Sequence, residues 1–242
     1  MKYAIVSDIH GNLEALTSVL ADIDRRGVDS IHCLGDVIGY GSDPRACLDL
    51  VTSRCDTRLL GNHEYTALGL QSVEIFNDAA KAAALWTQQQ LSERELAIIA
   101  EFEIERSLDE MYLVHASPYQ PEEWHYIFTV EDARLAFDHL ENRIGFVGHS
   151  HVPMILRNSP DGMPHARAGH SFDPDPDNSY LVNVGSVGQP RDHDPRACYV
   201  IFDDGEPAIE FIRVEYDIQT TQNKMAKAKL PEPLISRLSV GL

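Results

Sequence analysis

The stretch YAIVSDIH, residues 3–10, begins as an apolar run and ends in two polar side chains that are separated by one residue. Its first four residues predict a buried strand. A helical pattern follows over residues 13–26 and ends at Gly27, and a second apolar run covers residues 30–34. This succession of strand, helix and strand is typical of a parallel sheet that is covered by helices.

The same alternation continues through the first half of the chain and then gives way to strands. Further helices are predicted over residues 45–53, 79–90, 93–100, 130–139 and 219–229. Further strands are predicted over residues 58–60, 104–108, 111–115, 144–147, 153–157, 180–184, 198–203 and 208–214. We therefore expect a single domain over 1–242 with an α/β (α+β) fold, in which two mixed β-sheets pack as a sandwich flanked by helices. The stretch 158–178 is rich in Pro, Gly, Asp and His, which favours a mobile loop or lid.

Charge and cysteine content exclude several classes of protein. The 242 residues include 38 acidic and 20 basic side chains, so the formal net charge is −18. That charge repels nucleic-acid backbones and anionic membranes, and we expect no general nucleic-acid binding. Neither a membrane span nor a signal peptide is indicated, so a soluble, cytoplasmic protein is expected. The four cysteines form no CxxC pair and are expected to be buried, inert thiols.

Five short polar motifs each follow a predicted strand. They are Asp8-Ile9-His10, Gly35-Asp36, Gly61-Asn62-His63-Glu64, Val114-His115-Ala116 and Gly148-His149-Ser150-His151. Each motif alone has a structural explanation, such as an Asx turn or a buried histidine. Carboxylates and imidazoles are, however, ligands that suit first-row divalent ions, and open sheets bind ligands at the carboxyl ends of their strands. The five motifs together therefore predict a metal site.

The motifs, in this order and with Gly39 after Gly35-Asp36, resemble the calcineurin-like metallophosphoesterases over about residues 3–203. The stretches GYGSDP (39–44) and NVGSVGQPR (183–191) are similar to compact bacterial members related to diadenosine-tetraphosphate hydrolases and small phosphodiesterases. The resemblance implies a binuclear centre of two divalent metal ions. It assigns one ion to Asp8, His10, Asp36 and His151, and the other to Asp36, Asn62, His115 and His149. Because the set lacks a thiolate, Mn²⁺ is the first choice, with Fe, Zn²⁺ and Ni²⁺ also suitable.

The resemblance also implies hydrolysis of a phosphoester bond, with a hydroxide that bridges the two ions as nucleophile. Asp36 serves both ions. His63 is the candidate to protonate the leaving group, with Asp36 or Glu64 orienting it and raising its pKa, and a structural role is its alternative. Substrate contacts are expected from Asn62, His63 and Arg191, although a surface salt bridge explains Arg191 equally well.

A small-molecule phosphoester or nucleotide is the expected substrate, cleaved by a phosphodiesterase or nucleotide pyrophosphohydrolase. An aromatic series is a candidate for stacking on a base or aryl group, or else packs in a loop: Tyr119, Trp124, Tyr126 and Phe128. His165 and His170 are expected to be solvated. Two alternatives remain: a phosphomonoesterase, including a protein serine/threonine phosphatase, and a non-catalytic scaffold of the same fold. No oligomeric state is favoured by the sequence.

Overall fold

The computed structural model describes residues 1–159, 162–167, 171–205 and 208–242, which form two six-stranded sheets with helices around them. The strands are β1 (Lys2–Val6), β2 (Ser30–Cys33), β3 (Thr57–Arg58), β4 (Glu105–Leu108), β5 (Met111–Val114), β6 (Ile144–Val147), β7 (Met154–Asn158), β8 (Pro164–Arg167), β9 (Ser171–Phe172), β10 (Ser179–Asn183), β11 (Ala197–Asp203) and β12 (Ala208–Val214). The helices are α1 (Leu13–Arg26), α2 (Pro44–Arg54), α3 (Asn62–Ala67), α4 (Asp78–Gln90), α5 (Glu93–Ile99), α6 (Val130–Asp138), α7 (Ile218–Lys227) and α8 (Glu232–Ser236), and short 3₁₀ turns cover Val73–Ile75, Pro121–Glu123 and Arg237–Ser239.

Both sheets are mixed, which confirms the predicted fold class. The first has the order β3-β2-β1-β11-β12-β9, with β1, β2 and β3 parallel to one another. The second has the order β4-β5-β6-β10-β7-β8, with β5, β6 and β10 parallel. The carboxyl ends of three parallel strands in each sheet are therefore available to carry polar loops.

Strand β1 shows how the sequence pattern places the sheets. Its alternate residues Tyr3 and Ile5 belong to a buried cluster that joins the two sheets. Ala4 and Val6 point the other way and pack in a second cluster with residues of helix α1. A strand buried on both faces needs the continuous apolar run seen at residues 3–6, because successive side chains alternate between faces.

Helix α1 has the predicted bounds because both of its ends are marked in the sequence. The side chain of Asn12 accepts a hydrogen bond from the backbone N–H of Ala15, and Gly27 ends the helix in the left-handed region at φ 63°. The helix buries one face that includes Leu16, Val19 and Ile23. These contacts hold the loop between β1 and α1, which carries two of the motif residues, against the first sheet.

The stretch 158–178 differs from the loop expected of it. Strand β8 pairs with β7, and β9 pairs with β12, so the stretch supplies an edge strand to each sheet. The described part of the stretch therefore contains short strands and is not one long loop. His165 on β8 is exposed, as expected, whereas residues 160–161 and 168–170, and with them His170, lie outside the described residues.

Two further expectations concern thiols and membranes. All four cysteines are free and buried, as predicted: Cys33, Cys47, Cys55 and Cys198. Within the described ranges, no helix combines the length and the apolar character that crossing a membrane requires.

Replacing His32 is expected to make the stability of the fold less sensitive to acid. The His32 side chain is 3% exposed, its Nδ1 lies 2.9 Å from Oγ1 of Thr57, and burial lowers its pKa from 6.5 to about 4. On acidification, the His32 imidazole of the unfolded chain is protonated before that of the folded protein. The contribution of neutral His32 to the stability of the fold is therefore complete above pH 6.5 and is lost as the pH falls towards 4. The free-energy gap between wild type and His32→Gln should therefore shrink by about 2 kcal/mol between pH 7 and pH 5.

Urea unfolding at both pH values measures this change, with His165→Gln as an exposed control. A gap between wild type and His32→Gln that does not change with pH would contradict the assignment.

Candidate metal centre and adjoining cavity

The polar motifs meet at one end of the sandwich, at the carboxyl ends of parallel strands from both sheets. Asp8 and His10 follow β1, Asp36 follows β2, and Asn62 and His63 begin α3 just after β3. On the second sheet, His115 follows β5, and His149 and His151 follow β6. All eight side chains are buried. Asp8 and His151 are 143 residues apart in the chain but are in direct contact. The fold therefore brings distant motifs into one site.

Ligand atoms within 4.8 Å of one another form three groups at this end of the sandwich. These groups are Asp8, His10 and His151; Asp36, His115 and His149; and His10, Asp36 and His63. The first two correspond to the two ligand sets implied by the sequence resemblance, and Asp36 lies 3.7 Å from His10 as well as 3.4 Å from His115. The third group brings His63 closer to the other ligands than the sequence suggested.

Backbone carbonyl groups orient three of the imidazoles. The Nδ1 atoms of His10, His115 and His151 lie 3.1, 3.0 and 2.6 Å from carbonyl oxygens. Because a carbonyl oxygen only accepts hydrogen bonds, each Nδ1 carries the hydrogen, and the Nε2 atom is directed to the centre. Histidines that bind metals are held in this way, with the second ring nitrogen fixed by a hydrogen bond.

The Nε2 atoms of His10 and His151 face each other at 3.0 Å. Burial lowers the pKa of both imidazoles, so both are neutral and present lone pairs to one another. Asp8 Oδ1 lies 3.2 Å from Nε2 of His151 but has no hydrogen bond, as expected if neither atom carries a hydrogen. Three acceptors that face each other in a buried place are unfavourable alone, and a bound cation satisfies them all.

The second group has unsatisfied atoms too. Oδ1 of Asn62 and Nε2 of His115 are buried without a hydrogen-bond partner. Together with Asp8, these are three of the residues that the resemblance named as ligands. Oxygen and imidazole donors without thiolate suit first-row divalent ions, so the residues present fit the expected metals.

Electrostatics in the centre keep the carboxylate of Asp36 ionised. Burial opposes charge on every group here, and it lowers the pKa of His149 to about 3. For His115, burial is outweighed by the attraction of the Asp36 carboxylate, which raises the pKa to about 9. Burial likewise opposes the charge of Asp36, yet the neighbouring His115 holds its pKa well below 3.8. Asp36 thus stays ionised at the point where the two groups meet.

Glu64 positions the loops that carry Asp36. The Glu64 carboxylate is fully buried and accepts hydrogen bonds from the backbone N–H groups of Asp36 (2.8 Å), Ile38 (3.0 Å) and Gly61 (3.0 Å). Burial, followed by repulsion from Asp36, raises its pKa to about 7. Because these bonds occupy both carboxylate oxygens, Glu64 ties the loop after β2 to the start of α3, which differs from the expected role of orienting the His63 imidazole.

The His63 ring lies between two aromatic residues at the border of the centre. It stacks on Phe76 at 5.0 Å and meets the Tyr40 ring at 4.6 Å. A Cβ atom on Gly39, which has φ 88°, would collide with Nδ1 of His63, so this glycine makes room for the imidazole. Burial lowers the pKa of His63, with Asp36 acting in the opposite direction, so the net shift is opposite to the raised pKa expected from the sequence.

The backbone of the motif loops is strained. Eleven non-glycine residues in the described part of the chain have positive φ angles, and five of them are motif residues with φ between 50° and 64°: Asp8, His10, Asp36, His149 and His151. Such conformations are uncommon for residues other than glycine and cost of order 1–3 kcal/mol each. All five belong to the ligand groups. Strain that collects in this way is typical of functional sites, where packing fixes the side chains in one orientation.

A cavity of about 340 Å³ opens over the ligand groups. Asp36, Asn62, His63, His149 and His151 form its polar floor. Its walls come from Tyr40, Ile75, Phe76, Asn77, Ala79, Ala80, Tyr126, Arg191, Pro233, Leu234 and Arg237. No described residue between 158 and 178 is among them, and a lid function of that stretch stays a prediction.

Comparison with known proteins identifies the family. A model of the calcineurin-like phosphoesterase superfamily domain matches residues 1–205. The chain belongs to this superfamily. It is 41% identical over 244 residues to an uncharacterized protein of Methanocaldococcus jannaschii, and the match covers 98% of this chain and 97% of the other.

Solved structures of similar proteins agree with the superfamily fold. A metallophosphoesterase from Sphaerobacter thermophilus is 39% identical to this chain, with a TM-score of 0.88 over 100% of this chain and 99% of that one. A hypothetical protein from Pyrococcus horikoshii has 18% identity and a TM-score of 0.80, with 100% and 98% covered. The predicted family and fold are thereby confirmed.

Residues beyond the superfamily match complete the cavity. Pro233, Leu234 and Arg237 belong to the C-terminal segment, which follows the last matched residue, 205. The sequence patterns did not indicate these residues or Phe76. For Tyr40 the sequence did give an indication, because this residue lies inside the GYGSDP stretch that supported the family resemblance.

The aromatic series divides between the cavity and the packed interior. Tyr126 lines the cavity and stacks on His149 at 4.2 Å, and Phe128 stacks on Tyr126 at 4.9 Å. Trp124 is 6% exposed and packs against His115. Tyr119 packs on two other histidines, so only Tyr126 and Phe128 remain candidates for stacking on a substrate.

Proposed function

We propose that this superfamily member is a two-metal hydrolase of phosphoester bonds, acting on small molecules as a phosphodiesterase or nucleotide pyrophosphohydrolase. The observation that carries the proposal is the set of buried acceptors of Asp8, Asn62, His10 and His151, which lack hydrogen-bond donors and face one centre. The cavity volume of about 340 Å³ lies within the range of small-molecule sites. A folded phosphoprotein would instead require an open groove.

The ligand roles follow the groups described above. Asp8, His10 and His151 hold one ion, His115, His149 and Asn62 hold the other, and Asp36 is shared. Two divalent ions held there supply a Lewis acid for the phosphate oxygens and a means to ionise water at neutral pH. Mn²⁺ is the first metal to test.

The remaining residues bind the substrate and move a proton. His63 lies at the border between the ligand groups and the cavity, where its protonated form can give a proton to the departing oxygen. Because burial lowers the pKa of His63, this form becomes more populated as the pH falls. Arg191 contributes a positive charge to phosphate binding, and the exposed face of Tyr126 stacks on a base or aryl group. Asn62 contributes to the floor on which the phosphate rests.

Hydrolysis of three substrates tests the proposed function. With Mn²⁺ we expect cleavage of bis-p-nitrophenyl phosphate and of diadenosine tetraphosphate, slower cleavage of p-nitrophenyl phosphate, and loss of all three activities with chelator. Faster cleavage of the monoester would identify a phosphomonoesterase. If Mn²⁺, Fe²⁺, Zn²⁺ and Ni²⁺ all gave no turnover, the scaffold alternative would replace the proposal.

A further inference from the structure

Two arginines stand side by side in the wall of the cavity. Arg191 and Arg237 both donate to the same atom, Oε1 of Gln189, at 2.7 and 3.1 Å. The Gln189 side chain is buried, at 1% exposure, so its position is set by packing. A neutral amide oxygen thus holds two guanidinium groups close together without neutralising either charge.

Within the part of the chain that the structure describes, Arg191 and Arg237 form no ion pair, and the Nε atom of each is buried without a hydrogen bond. The nearby Arg213 and Arg196 are both paired with aspartates, in a protein that has 38 acidic residues. Burial and the charge of Arg191 lower the pKa of Arg237. The pair therefore has donors and positive charge that an anion in the cavity would satisfy.

The pair lies beside the ligand groups, in the same cavity as the exposed aromatic residue Tyr126. The backbone N–H of Arg191 donates to the carbonyl of His151 at 3.2 Å, and the Arg191 guanidinium lies 5.7 Å from the Tyr40 ring, which in turn contacts His10. Tyr126 instead stacks on His149. A phosphate over the ligand groups would therefore lie in a cavity whose walls offer both the Tyr126 ring and the two arginines.

We infer that Arg191 and Arg237 bind a second phosphate of the substrate, adjacent to the phosphate that is cleaved. The inference rests on the proposed function and narrows its substrate class to compounds with linked phosphates, such as dinucleoside polyphosphates. Guanidinium groups suit this role because their planar N–H groups bind phosphate oxygens in pairs. A simple diester has no group for this subsite and gains nothing from it.

Kinetics of Arg237→Gln test the subsite by comparing two substrates. With Mn²⁺, KM for diadenosine tetraphosphate should rise about tenfold or more, while kcat/KM for bis-p-nitrophenyl phosphate stays within about twofold. Arg237→Lys, which keeps the charge, should recover part of the loss. Arg134→Gln removes an exposed arginine of α6 that pairs with Glu131, and should leave both substrates unaffected. Equal losses on both substrates, or none on either, would overturn the inference.

A binding measurement separates this inference from the proposed function. The full-length protein is treated with chelator and titrated in a calorimeter with pyrophosphate and with phosphate. Wild type and Arg134→Gln should bind pyrophosphate more tightly than phosphate, and Arg237→Gln should weaken pyrophosphate binding about tenfold. If no substrate were hydrolysed but this pattern held, only the proposed function would fail. If pyrophosphate binding did not depend on Arg237, the subsite would be rejected whatever the activity.

Discussion

Asp36→Asn is expected to remove bound metal and hydrolytic activity together. Asp36 belongs to two of the three ligand groups, as His10 does, and its Oδ2 atom lies 3.7 Å from Nε2 of His10 and 3.4 Å from Nε2 of His115. An asparagine has the same shape and still provides an oxygen to accept the backbone N–H of His63, which donates to Oδ1 at 3.0 Å. The fold should therefore persist while the shared negative charge is lost.

The size of this effect follows from the position of Asp36. Changes to groups that merely orient metal ligands cost about 10–100-fold in affinity or activity, and loss of a ligand shared by two ions should exceed about 100-fold. Elemental analysis after gel filtration measures the metal, and hydrolysis of bis-p-nitrophenyl phosphate measures the rate. Thermal unfolding followed by circular dichroism checks that the variant is folded.

Two control variants separate a shared ligand from a simple loss of charge. Asp22→Asn removes the same charge from helix α1, where Asp22 pairs with Arg26, and should keep both metal and rate. Asp8→Asn affects only one ligand group and should lose one ion while retaining the other. Retention of both ions in Asp36→Asn would show that Asp36 does not bridge the two groups.

The convergence of the motif residues could be predicted from the sequence because each motif follows a strand. Asp8 and His10 come after β1 and His115 after β5, and parallel strands end at the same edge of a sheet. Once the apolar runs are assigned to strands, the polar residues beyond them must converge. Local signals also set the bounds of α1, since its capping asparagine and terminal glycine act within a few residues of the helix.

The walls of the cavity could not be predicted in this way. Arg237 reaches Gln189 across 48 residues, and Phe76 reaches His63 from a segment with no regular strand or long helix. Such contacts depend on how whole helices and strands pack together, and this packing leaves no periodic pattern in the sequence. The role of Glu64 was hidden for a similar reason, because its partners are backbone N–H groups of a loop 26 and 28 residues away.

Replacing His63 should slow hydrolysis in a manner that depends on the leaving group. His63 is buried at the border of the cavity, and the proposed role is to protonate the departing oxygen. For an alkyl phosphodiester, whose alkoxide is a poor leaving group, kcat of His63→Ala should fall about 10²–10⁴-fold. For bis-p-nitrophenyl phosphate the loss should be much smaller, because p-nitrophenolate departs without a proton.

Metal content distinguishes this role from that of a ligand. His63 lies within 4.8 Å of ligand atoms of His10 and Asp36, so a ligand role is the structural alternative to the proton donor. We expect His63→Ala to retain its metal, with His63→Gln as a second variant that fills the space between Tyr40 and Phe76. His165→Ala, at an exposed position on β8, serves as the control. Loss of an ion in both His63 variants would show that the imidazole is a metal ligand. If the metal were retained and the rate fell equally on both substrates, His63 would position the phosphate and would not donate the proton.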